Sequence, residues 1–425
     1  MPQPQQPLSV IMPPSSIYLD HNATAPPDPD VVAAMSRVAM EAFGNPGSRH
    51  SAGRQARRAL EDARELVAAI LGANPSEVVF TSGGTEANNT AIFGLTPGPA
   101  GTIALPAGEH PSIEMAVRGR EAQRWKRVTL PLDERGLIRL QSLQGLPEEP
   151  WDRLPACHPL PGLDAEKTDR LEAYPTEEVD WTELRLVSLL LAHNETGVIQ
   201  PVGEIAAFCA THRVPLHLDG VQAVGKIPVN FHELGATTLS LAAHKFHGPR
   251  GVGALLVREG TRLNSLLLGG HQEREHRAGT EPVALAVGLA RALEIWQADR
   301  VRIHERLTQL RDRLESQLIA TCSPVVIHAA GAERLPNTLN VGFVGCDGEA
   351  LLVALDLAGV CCSMGSACAS GSSEPAPILL AMGCSRELAL SSLRFSVGRA
   401  NTIEEIDTAA ERVATAVARM RNRRA

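Results

Sequence analysis

From about residue 75 to residue 300, short apolar runs alternate with longer stretches in which apolar residues recur at helical spacing. "SEVVFTSGGTEANNTAIFG" reads as a strand, a glycine turn and a helix start, and "TIALPAGEHPSIEMAVRGREAQ" repeats strand, loop and helix. The runs "LRLVSLLLAHNETGVIQP", "VPLHLDGVQAVG" and "TTLSLAAHKFHGPRGVGALLV" each leave an apolar strand on polar residues. Continuously apolar strands separated by helices predict a mainly parallel sheet covered on both faces, which binds ligands beyond the carboxyl ends of its strands. Thr81 to Asn88, Glu109 and His110, His193 to Glu195, Asp219 to Gln222, and His244 with Lys245 are therefore expected around one crevice.

After about Gln297 the pattern changes. A long amphipathic helix, "RIHERLTQLRDRLESQLIA", precedes "PNTLNVGFVG", a further helix, a cysteine-bearing stretch and "LRFSVGR", which together predict a smaller α+β domain. The expected division is a tail at 1–16, a large domain at 31–300, and a small domain built from 17–30 and 301–425. Residues 140–182, rich in proline and acid with little periodicity, read as a surface insertion, because a long structureless loop is improbable inside a compact domain.

Composition narrows the functional classes. The apolar runs are too short to span a bilayer, and the Pro/Gln-rich start has neither a basic region nor an apolar core. A disordered tail and a cytoplasmic protein without a membrane partner are expected. A net charge of -8 disfavours a polyanion such as nucleic acid; the basic end "ARMRNRRA" suits the negative end of a helix dipole. Eight cysteines scattered over 425 residues do not form a disulfide framework.

"SGGTEANN" places free backbone amides, the Thr85 hydroxyl and the positive end of a helix dipole at one point, an anion site. Lys245, just past a strand and beside His244, suits a Schiff base, although a surface lysine has the same local sequence. Asp219, after the apolar "VPLHL", is costly to bury unless paired; it can serve as counter-charge to a protonated ring nitrogen or as a helix cap. A phosphate cradle, a Schiff-base lysine and a carboxylate for a pyridinium are the three fixed needs of pyridoxal 5'-phosphate.

"YLDHNATAP", "TSGGTEANN", "EHPS", "HNETG", "LDGVQAVGK", "AHKFHGP", "RAGT", "GSACASG" and "LRFSVGR" follow one another from about Ile17 to Ile406. In order and approximate spacing the chain resembles the cysteine desulfurases, the NifS/IscS-like branch of the class V aminotransferase-like PLP enzymes. The resemblance implies the type I, aspartate aminotransferase-like PLP-dependent transferase fold, with a mainly parallel seven-stranded sheet and a smaller α+β domain. It implies that Lys245 carries the cofactor, Asp219 meets the pyridine nitrogen, Gln222 lies near the ring hydroxyl, and His110 stacks on the ring and exchanges protons with substrate. It implies that Gly84, Thr85 and His244 hold the phosphate, joined by Thr280 from the second subunit of a homodimer, and that Arg394, Asn194 and Asn22 form the substrate side. Cys368 in "GSAC" then becomes the nucleophile that takes sulfur from L-cysteine, giving L-alanine and a persulfide for a sulfur acceptor such as an iron-sulfur scaffold protein.

The small, turn-favouring residues around Cys368 suit an accessible thiol on a mobile arm, whereas Cys361 and Cys362 follow the apolar "ALDLAGV" and read as small hydrophobes. The three cysteines form no C-x2-C pair and no histidine pair follows, so no metal is expected. Two features depart from the family. Ala242 stands where relatives often have a serine donating to the phosphate, leaving Ser240 or water as substitutes, and the 140–182 insertion lies outside the pattern. A selenocysteine lyase, another class V enzyme or a non-catalytic scaffold are the alternatives; retention of Lys245, Asp219, His110 and Cys368 together argues against the last.

Overall fold

The computed structural model describes residues 16–140, 183–364 and 374–422. The expected N-terminal tail, almost all of the expected insertion and the segment carrying Cys368 lie outside these residues.

The chain begins with β1 (Ile17–Tyr18), α1 (Pro29–Glu41) and α2 (Ser51–Leu71), and then enters the alternating region. That region comprises β2 (Val78–Thr81), α3 (Gly84–Leu95), β3 (Thr102–Pro106), α4 (Pro111–Glu121), β4 (Lys126–Leu130), β5 (Leu184–Leu190), α5 (Val202–His212), β6 (Leu216–Asp219), β7 (Thr238–Ala242) and β8 (Gly253–Val257). These strands form one seven-stranded sheet in the order β2-β8-β7-β6-β5-β3-β4. Only β8 runs antiparallel to its neighbours, β2 and β7. All residues of β2, β3, β6, β7 and β8 are buried, which is why these strands read as unbroken apolar runs rather than alternating ones.

The parallel register brings the carboxyl ends of β3, β5, β6 and β7 to one edge. Ser240 pairs with Asp219, and Asp219 with Leu190, so the polar residues that end each run arrive side by side.

α6 (Val283–Cys322) spans both parts of the molecule and kinks at Asp299, whose φ/ψ of -130°/21° leaves the helical region. Its first half, including Leu289 and Leu293, joins the apolar core of the large sheet; its second half, including Leu310 and Leu314, joins a separate core. The second core belongs to β9 (Val325–Ile327), β10 (Thr338–Phe343), α7 (Gly348–Leu357), β11 (Val360–Cys361), β12 (Ser363–Met364), β13 (Ser392–Ser396) and α10 (Ile403–Asn422). β12, β13, β10 and β9 form a four-stranded sheet, and β1 pairs with β11, which ties residues 17 and 18 to this part. The short helices α8 (Pro377–Ala381) and α9 (Arg386–Leu390) lie between β12 and β13 in sequence, yet Ile378, Leu379 and Ala389 pack into the core of the large sheet.

Candidate functional site

The start of α3 is the first component. Gly83 adopts φ 154° and ψ -176°, a conformation confined to glycine, and a Cβ built there would meet nothing within 4 Å. A Cβ on Gly84 would instead come within 2.7 Å of Val221. The two glycines let the chain turn into α3 with open space in front of its first amides. Glu86 caps the turn from behind, accepting from Ser82 N at 2.8 Å and from Arg277 Nε at 2.8 Å. Thr85, exposed, sits in the first turn of the helix.

Asp219 ends β6 at 1% exposure and is surrounded by donors. Asn88 Nδ2 donates to its Oδ2 at 2.7 Å, while Val221 N at 2.9 Å and the Ser240 hydroxyl at 3.4 Å reach Oδ1. Asn88 is itself fixed, since its Oδ1 lies 3.1 Å from Nε2 of buried His217, and its Nδ2 also donates to Ser112 Oγ at 2.8 Å. Ser112 lies 2.7 Å from His110 Nδ1 and sends its backbone amide to the same nitrogen at 3.1 Å. His110 thus caps α4 while linked through Ser112 and Asn88 to Asp219. Burial pushes its pKa down, against the pull of Asp219 and with the help of Lys245, so the imidazole is neutral at physiological pH.

Lys245 closes a short 3-10 turn, Ala243–Lys245, directly after β7. Its Nζ donates to the carbonyls of Asn22 at 2.7 Å and Ala23 at 2.9 Å. His244 faces Thr24 Oγ1 at 3.2 Å, and burial with the nearby Lys245 cation lowers its pKa to about 4.

Asn22, 1% exposed, bonds residues from both sides of the molecule. Its Nδ2 donates to Thr338 Oγ1 at 2.9 Å and to the Asn194 carbonyl at 3.1 Å; its Oδ1 accepts from Asn337 at 3.0 Å and from Lys226 Nζ at 2.7 Å. Gln222 Nε2 donates to the Asn22 carbonyl at 3.0 Å. The Asn22 side chain is therefore occupied by protein partners on both ends.

Arg394, at 2% exposure, comes from β13. It donates to Asp20 Oδ1 at 2.7 Å and to the Asn194 carbonyl at 3.0 Å, and its buried Nε has no partner among the described residues. Asn194 meets this network through its carbonyl rather than its side-chain amide. Thr280 is exposed.

Sequence reasoning is corrected at one point. Ser240 does not substitute for the missing serine at 242, because it is fully buried with its hydroxyl directed at Asp219; Ala242 is the residue beside Gly84, 3.5 Å from a Cβ built there. Glu109 and Glu195 are both buried, Glu109 accepting from Leu190 N at 2.9 Å. His193 is likewise buried, held 2.9 Å from the Gly108 carbonyl. Two residues with structural claims on the site had been given no role. Asn88 lay inside the glycine-turn motif, and Lys226 inside "LDGVQAVGK", where a lysine after an apolar turn was the available signal.

The residues present fit pyridoxal phosphate: an uncovered helix start for a phosphate, a fixed buried carboxylate for a ring nitrogen, a neutral imidazole linked to that carboxylate, and a lysine amine at the strand edge. The sequence model of the Aminotransferase class-V family matches residues 17–150 and 162–408. A cysteine desulfurase of Nostoc sp. is 39% identical, over 96% of this chain and 94% of that protein. Among solved structures, a NifS-like protein superposes with a TM-score of 0.80 at 31% identity, covering 94% of this chain and 98% of its own. A structure of SspA in complex with cysteine matches with a TM-score of 0.72 at 27% identity, covering 89% and 98%. The chain belongs to the class-V aminotransferase family and, within it, to the NifS/IscS-like cysteine desulfurases, enzymes that remove sulfur from cysteine.

Proposed function

We propose that this chain binds pyridoxal 5'-phosphate on Lys245 and passes the sulfur of L-cysteine to Cys368, leaving L-alanine and a persulfide. The observation that carries the reading is the meeting of Lys245, donor-held Asp219 and the open start of α3 at one sheet edge. When bound, the cofactor supplies an electron sink that makes the substrate α-proton acidic. Gly84, Thr85 and His244 would hold its phosphate, Asp219 would keep its ring nitrogen protonated, and Gln222 would meet its ring hydroxyl.

The remaining chemistry belongs to the protein. The Arg394 guanidinium, with an unused buried Nε–H, offers the substrate carboxylate a planar donor set beside Asn194. The Lys245 amine, placed by two carbonyls, removes the α-proton, and neutral His110 exchanges protons close by. The Cys368 thiolate forms an S–S bond with the substrate sulfur as the carbon–sulfur bond breaks, and the carbon left behind takes up a proton. Cys368 lies five positions beyond Ser363 (363 to 368), and Ser363 is the register partner of Arg394. That register supports a reach from the sheet edge to the substrate. Cys361 and Cys362 are poorer nucleophiles, because burial raises both thiols, Cys362 to about 12.

The same reading makes the protein a homodimer in which exposed Thr280 completes the partner's phosphate site, with exposed Leu267 and Leu268 near it in sequence. It hands its sulfur to an acceptor such as an iron-sulfur scaffold protein in the cytoplasm. The test is purification followed by incubation with L-cysteine: a yellow protein that forms alanine and carries added sulfur on Cys368 is expected. A colourless protein, or borohydride fixation of cofactor away from Lys245, would overturn the cofactor assignment, and sedimentation as a monomer with full cofactor would remove the dimer.

A further inference from the structure

Lys226 is a buried lysine whose hydrogen-bond partners among the described residues are all neutral. It is 5% exposed, and its Nζ lies 2.7 Å from Asn22 Oδ1 and 2.5 Å from Gln222 Oε1, both neutral acceptors. Among the described residues, the charged and titratable groups acting on it are cations or histidines. Lys245 and Arg394 act on it from the site, while His21, His247 and Arg399 share with it and with Lys245 the lining of a cavity of about 20 Å³. A buried ammonium without a carboxylate is expensive, so a purely structural position would favour an apolar residue.

The backbone holds this amine in place. Gly225 has φ 76°, and a Cβ there would come within 2.3 Å of Phe246. The turn before Lys226 therefore packs directly on the residue that follows Lys245, so the two lysine-bearing turns are fixed against each other.

The consequence concerns the Gln222 amide. An amide has one accepting and one donating end, and a lysine nitrogen in contact with it as a donor selects the accepting end. With Oε1 turned to Lys226, Nε2 faces the Asn22 carbonyl at 3.0 Å, the carbonyl that also receives Lys245 Nζ at 2.7 Å.

We propose that Lys226 is a positioning residue of this site: it fixes Gln222 as a donor and holds Asn22, and through them sets the protonation of the Lys245 nitrogen. The inference rests on the cofactor reading, in which the Gln222 donor end serves the ring hydroxyl oxygen. Burial, followed by the Lys245 and Arg394 cations, depresses the Lys226 pKa well below the usual range, so a proton on either lysine disfavours one on the other. Removing Lys226 frees the Gln222 amide to turn and loosens Asn22, whose carbonyl receives both Gln222 Nε2 and Lys245 Nζ. Loss of the fixed Gln222 donor at the ring hydroxyl oxygen favours retention of a proton at the Lys245 nitrogen.

The experiment is a pH titration of the visible absorbance of the holoenzyme for wild type, Lys226→Met and Lys226→Gln, with melting temperatures measured alongside. The midpoint is expected to rise by about one pH unit in Lys226→Met, and by less in Lys226→Gln, which retains a donor. A folded variant of either kind with the wild-type midpoint overturns the inference, whatever its melting temperature. A wild-type protein with no visible band overturns the cofactor reading as well, which distinguishes that failure from an unmoved midpoint.

Discussion

Asp219 and Glu109 are two buried carboxylates at the same sheet edge, and their surroundings differ in one respect that decides their chemistry. Asp219 receives donors from Asn88, Val221 and Ser240. Glu109 receives only Leu190 N, its Oε2 has no partner among the described residues, and burial together with the Asp219 charge pushes its pKa well above the carboxylate range. Glu195 resembles Glu109, with an orphaned oxygen and a pKa raised by burial to about 8. The contrast teaches that burial alone favours the neutral form of an acid, whereas donors supplied by neighbouring strands and helices hold a carboxylate in a fixed place. A carboxylate at a strand end is thus a candidate counter-charge only when its donors are present.

The most direct way to break the distinction is Asp219→Asn, which retains the shape but gives the site a neutral group. Turnover with L-cysteine is expected to fall by on the order of 100-fold or more, as for loss of a preorganised charge, with the melting temperature close to wild type. Next in size is Asn88→Ala, which removes the shortest donor to Asp219 and unlinks it from Ser112 and His110. Urea titration should show a loss of about 1–3 kcal/mol, the cost of leaving a buried acceptor underpaired, together with slower turnover.

Glu195→Gln sharpens the other side of the comparison through pH. A carboxyl whose folded pKa is raised contributes stability that is fully present below its unfolded pKa and is lost as pH rises through the folded value. Wild-type melting temperature should therefore decline between pH 4.5 and about 8 through this group, and the variant should show a shallower decline. Glu109→Gln, replacing an acid whose neutral form burial already favours, should change turnover by less than about twofold and stability by less than about 1 kcal/mol.

Much of this edge was legible in the sequence because its residues sit where apolar strands stop. Asp219 after "VPLHL" and Lys245 after "LSLAA" are exposed as candidates by the change from apolar to polar at a single position. The glycine pair before α3 was legible for a similar reason, since only glycine permits that turn. What could not be read was pairing across long sequence distances. Asn22 meets Lys226, Asn337 and Thr338 only because β1 docks on β11, far along the chain. Ser240 was misplaced because a strand residue's direction depends on register: paired with Asp219, it turns to that carboxylate, and Ala242 reaches the helix start instead. The burial of Glu109 and Glu195, each with an oxygen lacking a partner among the described residues, leaves no mark in local sequence.

The central claim is that sulfur leaves L-cysteine at this edge and arrives on Cys368. A short pulse of L-cysteine followed by mass spectrometry of the protein, with alanine measured in parallel, tests it most directly. The account predicts added sulfur on Cys368 in proportion to the alanine formed, and none in Cys368→Ser although that variant still binds cofactor. Added sulfur on Cys361 or Cys362, with Cys368→Ser still forming alanine, would contradict it.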